Sequence, residues 1–331
     1  MKAMFSTAPG GPETLELTEC PTPQPKPNEV LICVKAAGVN FPDTLIIRDL
    51  YQIKPTRPFA PGGEVAGIIE AIGKDVDNFT EGERVLAVPG FGGFVSHITV
   101  DADKVVKIPD KMPFEDAACF IFTYGTSHYA LRDRGNLKAG ETLLISGAAG
   151  GVGVAAIEIA KAMGAKVIAA VSSQEKADFC RQIGADDAII YPKKMDKDAQ
   201  KALSNNIKNI VGTNGVNVVY DAVGGDYAEP LVRTMAWNGR FLVVGFPAGI
   251  PKIPLNLTLL KSCQIVGVFW GAFTLRDPKK HQVYLAELFD MYNKKQVKPQ
   301  ITEAFKLEDA DKAISYVAER KALGKVIVTM D

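Results

Sequence analysis

Closely spaced metal ligands are missing from this chain of 331 residues. The five cysteines, Cys20, Cys33, Cys119, Cys180 and Cys263, are scattered through apolar or helical segments, which excludes a zinc knuckle and reads as reduced packing thiols. The three histidines, His97, His128 and His281, fall on separate expected elements without ligand spacing, so no metal is expected. An excess of one charge is also missing. With 38 basic and 38 acidic residues the net charge is zero, and no block or stripe of basic residues offers a footing for RNA, DNA or an anionic membrane surface. No stretch reaches the roughly 18 apolar residues of a membrane span, and Met1 to Gly10 lacks the apolar core of a secretory signal, so a cytoplasmic protein is the expectation. Internal repeats and low-complexity tracts are absent as well.

What the chain does have is a glycine turn in a telling place. Ser146-Gly147-Ala148-Ala149-Gly150-Gly151-Val152-Gly153 follows the apolar run from Thr142 to Ile145 and opens a helical pattern from Val152 to Met163. A second apolar run, Lys166 to Val171, comes next, then a helical pattern from Ser173 to Ile183 that stops at Gly184. This is the strand, turn, helix and strand of a dinucleotide-binding βαβ unit, with Ala148 where the usual fingerprint has its first glycine. The alternative is a glycine-rich turn of another α/β fold, against which the flanking periodicity argues. Ala149, Gly150, Gly151, Val152 and Gly153 form the expected pyrophosphate site. Bare Cα atoms at Gly150 and Gly153 permit close approach, and free N–H groups at the helix start attract the anion.

In NAD-specific versions of this unit an acidic residue ends the second strand and bonds the ribose 2′-OH. Here that position falls near Ser172, followed by Ser173, with Lys176 on the first turn of the next helix. This pattern favours NADPH: an ammonium and a 2′-phosphate in a half-solvated groove attract by on the order of 1 to 4 kcal/mol. Tyr191, ending the run Ala188-Ile189-Ile190, is placed to close the same pocket. The plainer readings make Lys176 a solvated helix residue and Tyr191 a strand-end cap.

Size and texture divide the chain. At 47% hydrophobic it can bury a large core and should form two domains. Short β-type runs rich in proline and glycine fill the first part, including Glu29 to Lys35, Glu64 to Ile69, Arg84 to Val88 and Phe94 to Val100. Strands and helices then alternate, through Val216 to Asp221, a helix from Tyr227 to Ala236 and a strand from Arg240 to Gly245, as in a doubly wound parallel sheet. A strand from Gln264 to Phe269, helices around His281 to Asn293 and Glu308 to Arg320, and a closing strand from Lys325 to Val328 are expected to return to the first lobe. The expected fold class is therefore α/β, with residues 123–264 forming the doubly wound Rossmann domain and residues 1–122 with 265–331 forming the β-rich lobe.

Several segments together carry a family resemblance: Ala36-Ala37-Gly38-Val39-Asn40-Phe41-Pro42-Asp43-Thr44, Tyr51, Pro61 to Gly67, Glu81 to Val85, the Ala148 to Gly153 turn, Lys176 and Tyr191. On them the whole chain resembles the zinc-free medium-chain dehydrogenases/reductases of the NADPH:quinone oxidoreductase, or zeta-crystallin-like, family. The resemblance implies that the β-rich lobe is GroES-like and that cofactor and acceptor meet in an interdomain cleft. It also explains the missing metal ligands, because zinc-dependent relatives carry a cysteine where this chain has Asn40 and a histidine where it has Gly63.

Without zinc to polarise a carbonyl, alcohol oxidation loses its Lewis acid, and reduction of an electrophilic acceptor remains. A quinone suits hydride addition because an aromatic hydroquinone results; an enal, enone or enoyl thioester suits it if hydrogen bonds hold the enolate oxygen. By resemblance Asn40 would donate such a bond, Tyr51 would donate a bond or a proton, and Asp43 would order Tyr51 or its loop. The plainer readings make Asn40 a turn cap and Tyr51 cleft lining. The resemblance further assigns Thr126 to the pyrophosphate or ribose and Val244, Gly245 and Phe246 to the border of the nicotinamide. It assigns Phe269, Trp270 and Gly271 to the carboxamide and Lys325 to a cofactor phosphate. It implies a homodimer joined edge to edge near Gln264 to Phe269, where a bare strand would invite aggregation. A non-catalytic NADPH-binding structural or RNA-binding role is the reading from another functional class.

Overall fold

The computed structural model describes residues 1–330. Along the chain, strands β1 (Lys2–Ser6), β2 (Leu15–Glu19) and β3 (Glu29–Val39) precede helix α1 (Phe41–Ile46). Strands β4 (Glu64–Ile72), β5 (Arg84–Ala87), β6 (His97–Asp101) and β7 (Val105–Lys107) lead to α2 (Phe114–Ala117) and α3 (Ile121–His128). Alternation follows: β8 (Thr142–Ser146), α4 (Gly151–Ala162), β9 (Lys166–Val171), α5 (Gln174–Gln182), β10 (Asp187–Ile190), α6 (Lys197–Val211), β11 (Val216–Asp221), α7 (Ala228–Val232) and β12 (Met235–Val243). The remainder comprises α8 (Asn256–Lys261), β13 (Gln264–Gly267), α9 (Trp270–Arg276), α10 (Pro278–Asn293), β14 (Ile301–Lys306), α11 (Ala310–Ala318) and β15 (Lys325–Thr329).

Two units result, one from Met1–Phe122 joined by the chain from Pro299 onward, the other Thr123–Lys298. In the first unit β3 is the organising strand, paired antiparallel with β4, β6 and β15. Its apolar residues Val30, Ile32, Val34, Ala37 and Val39 are buried with Val65, Ile69, Val85, Phe94, Val326 and Val328 in one core. The parallel pair β14–β15 closes one side of the seven-stranded sheet, and β1 and β2 form a separate hairpin.

The second unit holds a six-stranded parallel sheet in the order β10-β9-β8-β11-β12-β13. Its inner strands read as continuous apolar runs because helices cover both faces; Leu143, Leu144 and Ile145 of β8 are all fully buried. Strand order reverses beside β8, which has β9 on one side and β11 on the other. That reversal is where doubly wound sheets bind nucleotides.

Two sequence expectations need correction. The stretch 265–298 was expected in the β-rich lobe, yet β13 pairs parallel with β12, Gln264 opposite Arg240 through Gly267 opposite Val243, and so β13, α9 and α10 belong to the second unit. A four-residue strand carries too little pattern to reveal which sheet it joins. The helix expected from Tyr227 to Ala236 ends at Val232, because Met235 already pairs with Val216 and opens β12. β13 lies at the sheet edge, largely exposed. No helix among the described residues is long and apolar enough to cross a membrane.

Candidate functional site

In the second unit the chain leaves β8 through Ser146 and turns at Gly147, whose φ of 69° favours glycine. Helix α4 then starts behind Gly150 as its N-cap, and the N–H groups of Gly151, Val152 and Gly153 have no acceptor within the helix. The two glycines singled out from the sequence differ in what holds them. A Cβ at Gly153 would stand 2.5 Å from Gly147 O and 2.6 Å from Ala148 Cα, so this glycine is required by the packing of helix on turn. A Cβ at Gly150 would meet only Gly147 O, at an ordinary 3.5 Å. The packing itself therefore admits a side chain at Gly150.

Two buried residues brace this turn that the sequence reading did not single out. Ser127 on α3 donates to the Val152 carbonyl at 2.8 Å, with Tyr220 Oη at 2.9 Å from its Oγ. Asp221, at the end of β11, receives the Ser146 hydroxyl and the N–H groups of Val223 and Gly224 on Oδ1, while its Oδ2 is buried without a partner. Burial pushes the Asp221 carboxyl above its ordinary range against those three donors. Neither residue belongs to a local motif; each reaches the turn across strands.

At the end of β9, Ser172 and Lys176 are half-buried, and Ser173 caps α5 by accepting the Lys176 N–H at 3.3 Å. The Tyr191 N–H bonds Val171 O at 2.9 Å, which sets Tyr191 beside this strand end. Its ring, however, is buried in the core of the unit, edge-on to Tyr227 at 4.9 Å. The turn and the β9 end thus present backbone donors, hydroxyls and one lysine, with no carboxylate at Ser172.

Of the other expected cofactor contacts in this unit, Thr126 is half-buried on α3. Val244 and Gly245 both donate to Asp221 O as the chain leaves β12, and Phe246 just beyond them is exposed. Phe269 is exposed and caps α9, with Gly271 in its first turn. Trp270 is buried instead, its indole covering Gly125 so closely that a Cβ there would lie 2.9 Å from the ring.

In the first unit two of the three expected catalytic residues, Asn40 and Asp43, sit in a closed polar network. Asn40, almost buried, donates from Nδ2 to Glu64 Oε1 at 2.9 Å and weakly to Gly38 O at 3.4 Å. Its Oδ1 accepts the Lys325 ammonium at 2.8 Å. Both amide protons are engaged, so the expectation that Asn40 offers a donor to a substrate oxygen is not met by this arrangement. Lys325 is corrected likewise: its ammonium meets three acceptors, Val39 O at 3.2 Å, Asn40 Oδ1 and Glu64 Oε1 at 2.9 Å, and is 4% exposed, which leaves no proton for a cofactor phosphate. Burial lowers the affinity of Lys325 for its proton, but the Glu64 charge and hydrogen bond, with Cys119 and Asp43 nearby, outweigh it and the pKa stands above the ordinary value.

Asp43 ties two loops together, taking the Asn40 N–H at 2.7 Å and the Gly62 N–H at 2.9 Å. Burial is the largest influence on its carboxyl and raises its pKa to about 6 despite those two bonds. Tyr51 is half-buried against the same core, and burial followed by the Asp43 charge keeps its phenol above the ordinary range. Its hydroxyl remains protonated at neutral pH and can donate.

Among the described residues no three His, Cys, Asp or Glu ligand atoms converge at Asn40; the one such group, Cys33, Glu70 and His97, lies elsewhere on the same sheet. Spacing along the chain gave no hint of it, since its members come from β3, β4 and β6. His128 and His281 are in the second unit. Burial, then the Arg132 charge, lowers the His128 pKa to about 4, and its Nε2 is 3.3 Å from Glu287.

Residues 26–110 match the alcohol dehydrogenase GroES-like domain and residues 151–290 the zinc-binding dehydrogenase family. The quinone oxidoreductase of Pseudomonas aeruginosa is 34% identical over 96% of this chain and 96% of its own length. This chain belongs to the zinc-free quinone oxidoreductase family of medium-chain dehydrogenases/reductases. Within the family, quinone oxidoreductase-like protein 2 of Bos taurus is 36% identical, covering 93% of this chain and 87% of the relative. The structure of Escherichia coli quinone oxidoreductase complexed with NADPH matches with a TM-score of 0.90 at 30% identity, covering 99% of this chain and all of that one. A mycobacterial protein complexed with NADPH matches with a TM-score of 0.91 at 31% identity over 99% of both chains.

Proposed function

We propose that this member of the family is an NADPH-dependent reductase that transfers hydride to quinones or related electrophilic acceptors without a metal. The observation that carries the reading is the end of β9, where Ser172, Ser173 and Lys176 stand in place of the carboxylate that would select NADH. Bound NADPH would supply the hydride. The free N–H groups of Gly151, Val152 and Gly153 hold the pyrophosphate, with Gly150 allowing its approach and Ala149 walling the turn. Lys176 and the two serines take the 2′-phosphate, and Tyr191 backs them from the core. Thr126, the Val244 to Phe246 segment and the backbone of Phe269 to Gly271 remain assigned to the nicotinamide half.

On the acceptor side the reading rests on Tyr51, whose phenol is half-buried and protonated. A donor of this kind serves a quinone oxygen, and it equally serves the enolate oxygen formed by an enal, enone or enoyl thioester, which is the second reading. Asn40 and Asp43 act here as positioning residues that fix the loop between β3 and α1. Two measurements test the proposal. NADPH oxidation followed with a quinone panel against an enal and acyl-thioester panel separates the two acceptor classes, and cofactor binding without turnover of either would replace both with a non-catalytic role. Lys176→Glu should weaken NADPH by roughly 10- to 100-fold while leaving NADH within a few-fold, and equal weakening of both would sink the assigned phosphate contact.

A further inference from the structure

The face of the first-unit sheet away from its core carries a cluster with no part in the reading above. Cys33 Sγ, a Glu70 carboxylate oxygen and a His97 ring nitrogen all lie within 4.8 Å of one another, with Nε2 of His97 3.1 Å from Oε2 of Glu70. Each comes from a different strand. Cys33 pairs directly with His97 across β3 and β6. Glu70 is the extra residue where β4 slips register, since Ile69 pairs with Ile32 and Ala71 with Leu31. Such a bulge re-aims a side chain, and here it delivers Glu70 to the pair formed by its two neighbours. The imidazole is also held from behind: Ser96 Oγ is 3.0 Å from His97 Nδ1 and accepts the Lys2 N–H at 3.1 Å. A hydrogen bond on the far nitrogen fixes ring orientation and leaves Nε2 to bind, the arrangement found behind metal-bound histidines.

We propose that Cys33, Glu70 and His97 form a Zn2+ site, distinct from the Asn40 network, that ties strands β3, β4 and β6 together. One thiolate, one imidazole and one carboxylate suit a borderline-soft tetrahedral ion and leave one position for water. Bonds of about 2.0 Å to nitrogen and oxygen place those two atoms about 3.3 Å apart in a tetrahedron, close to the separation already present. Cys33 and His97 are half-buried and Glu70 is exposed, so an ion enters from solvent. On binding, the thiol proton of Cys33 passes to solvent. His97 binds the ion through Nε2, with Nδ1 hydrogen-bonded to Ser96.

The test uses the full-length protein stripped with chelator and titrated with Zn2+ against a chromophoric competitor, and with Co2+ as a spectroscopic probe. One equivalent of Zn2+, a thiolate-to-cobalt charge-transfer band, and a rise in Tm with Zn2+ are expected. Cys33→Ser should abolish the band, and Cys33→Ser and His97→Gln should each weaken Zn2+ by about 100-fold or more and remove the rise in Tm. Cys20→Ser should change none of these. Glu70→Gln, an exposed substitution that leaves the sheet intact, should weaken Zn2+ about 10-fold or more. Absence of a stoichiometric site in the folded wild-type protein, or a cobalt spectrum without thiolate that persists in Cys33→Ser, would overturn the proposal.

Discussion

The two units build their polar centres in opposite ways. In the first, Asn40, Asp43, Glu64 and Lys325 are buried and bonded chiefly to one another and to nearby backbone, so charge is neutralised inside the protein. In the second, the turn between β8 and α4 carries the N–H groups of Gly151 to Gly153, which have no acceptor within their helix. A closed network is a device for holding loops, and an open row of donors is a device for holding an anion. Sequence motifs mark both places with equal force. The difference between them is that the Asn40 network finds its partners within the chain, whereas the N–H groups of Gly151 to Gly153 find none within their helix.

Breaking the closed network should have the largest effect. Lys325→Met strands the Glu64 charge in the interior, so unfolding free energy in urea should fall by about 3 to 5 kcal/mol, and Lys325→Met with Glu64→Gln should recover a large part of it. A loss below about 1 kcal/mol would mean that the pair behaves as a solvated one and that the contrast between the units is false.

Proton linkage sharpens the same comparison, because one buried group in each unit is shifted in opposite directions. His128 titrates near 6.5 when unfolded and at about 4 when folded. Its contribution is therefore full above the unfolded value and lost as pH falls from 6.5 toward 4, by about 3 kcal/mol. Asp43 has an unfolded value of 3.8 and a folded value of about 6. The folded state binds the proton more tightly, so stability from this group declines as pH rises from 3.8 toward 6, again by about 3 kcal/mol, and is level above that. Urea midpoints measured across these windows should lose the acid-side slope in His128→Gln and the opposite slope in Asp43→Asn. An unchanged profile in either variant would remove that group from the account.

The smallest effect is the most specific. Gly153→Ala should destabilise by about 1 to 3 kcal/mol through overpacking against Gly147 and Ala148, whereas Gly150→Ala should leave Tm almost unaltered and weaken NADPH about 10-fold or more. If Gly150→Ala binds NADPH normally, the pyrophosphate does not rest where the open donors suggest.

Much of this molecule was legible in the sequence, but unevenly. The βαβ unit could be read because its signals are local: a glycine turn between an apolar run and a 3.6-residue period needs only neighbours along the chain, and strands β8 and β9 with helices α4 and α5 stand within a residue or two of where the pattern puts them. The residues on which the expected preference for NADPH rests were legible for the same reason, as Ser172 to Lys176 follow β9 directly. Membership of β13 in the second sheet was not, because four residues carry no address and only the parallel register with β12 supplies one. The roles of Asn40 and Lys325 were hidden for a further reason: residues 285 positions apart share a hydrogen bond, and the chemistry of each is set by the other. Tertiary structure also gathered Cys33, Glu70 and His97, which no spacing connects. The sequence by itself determined that a dinucleotide-type turn exists and which side chains flank it, since those follow from local backbone preference. Only the folded sheet decided which polar groups are spent on one another, since that depends on distances closed by packing across strands.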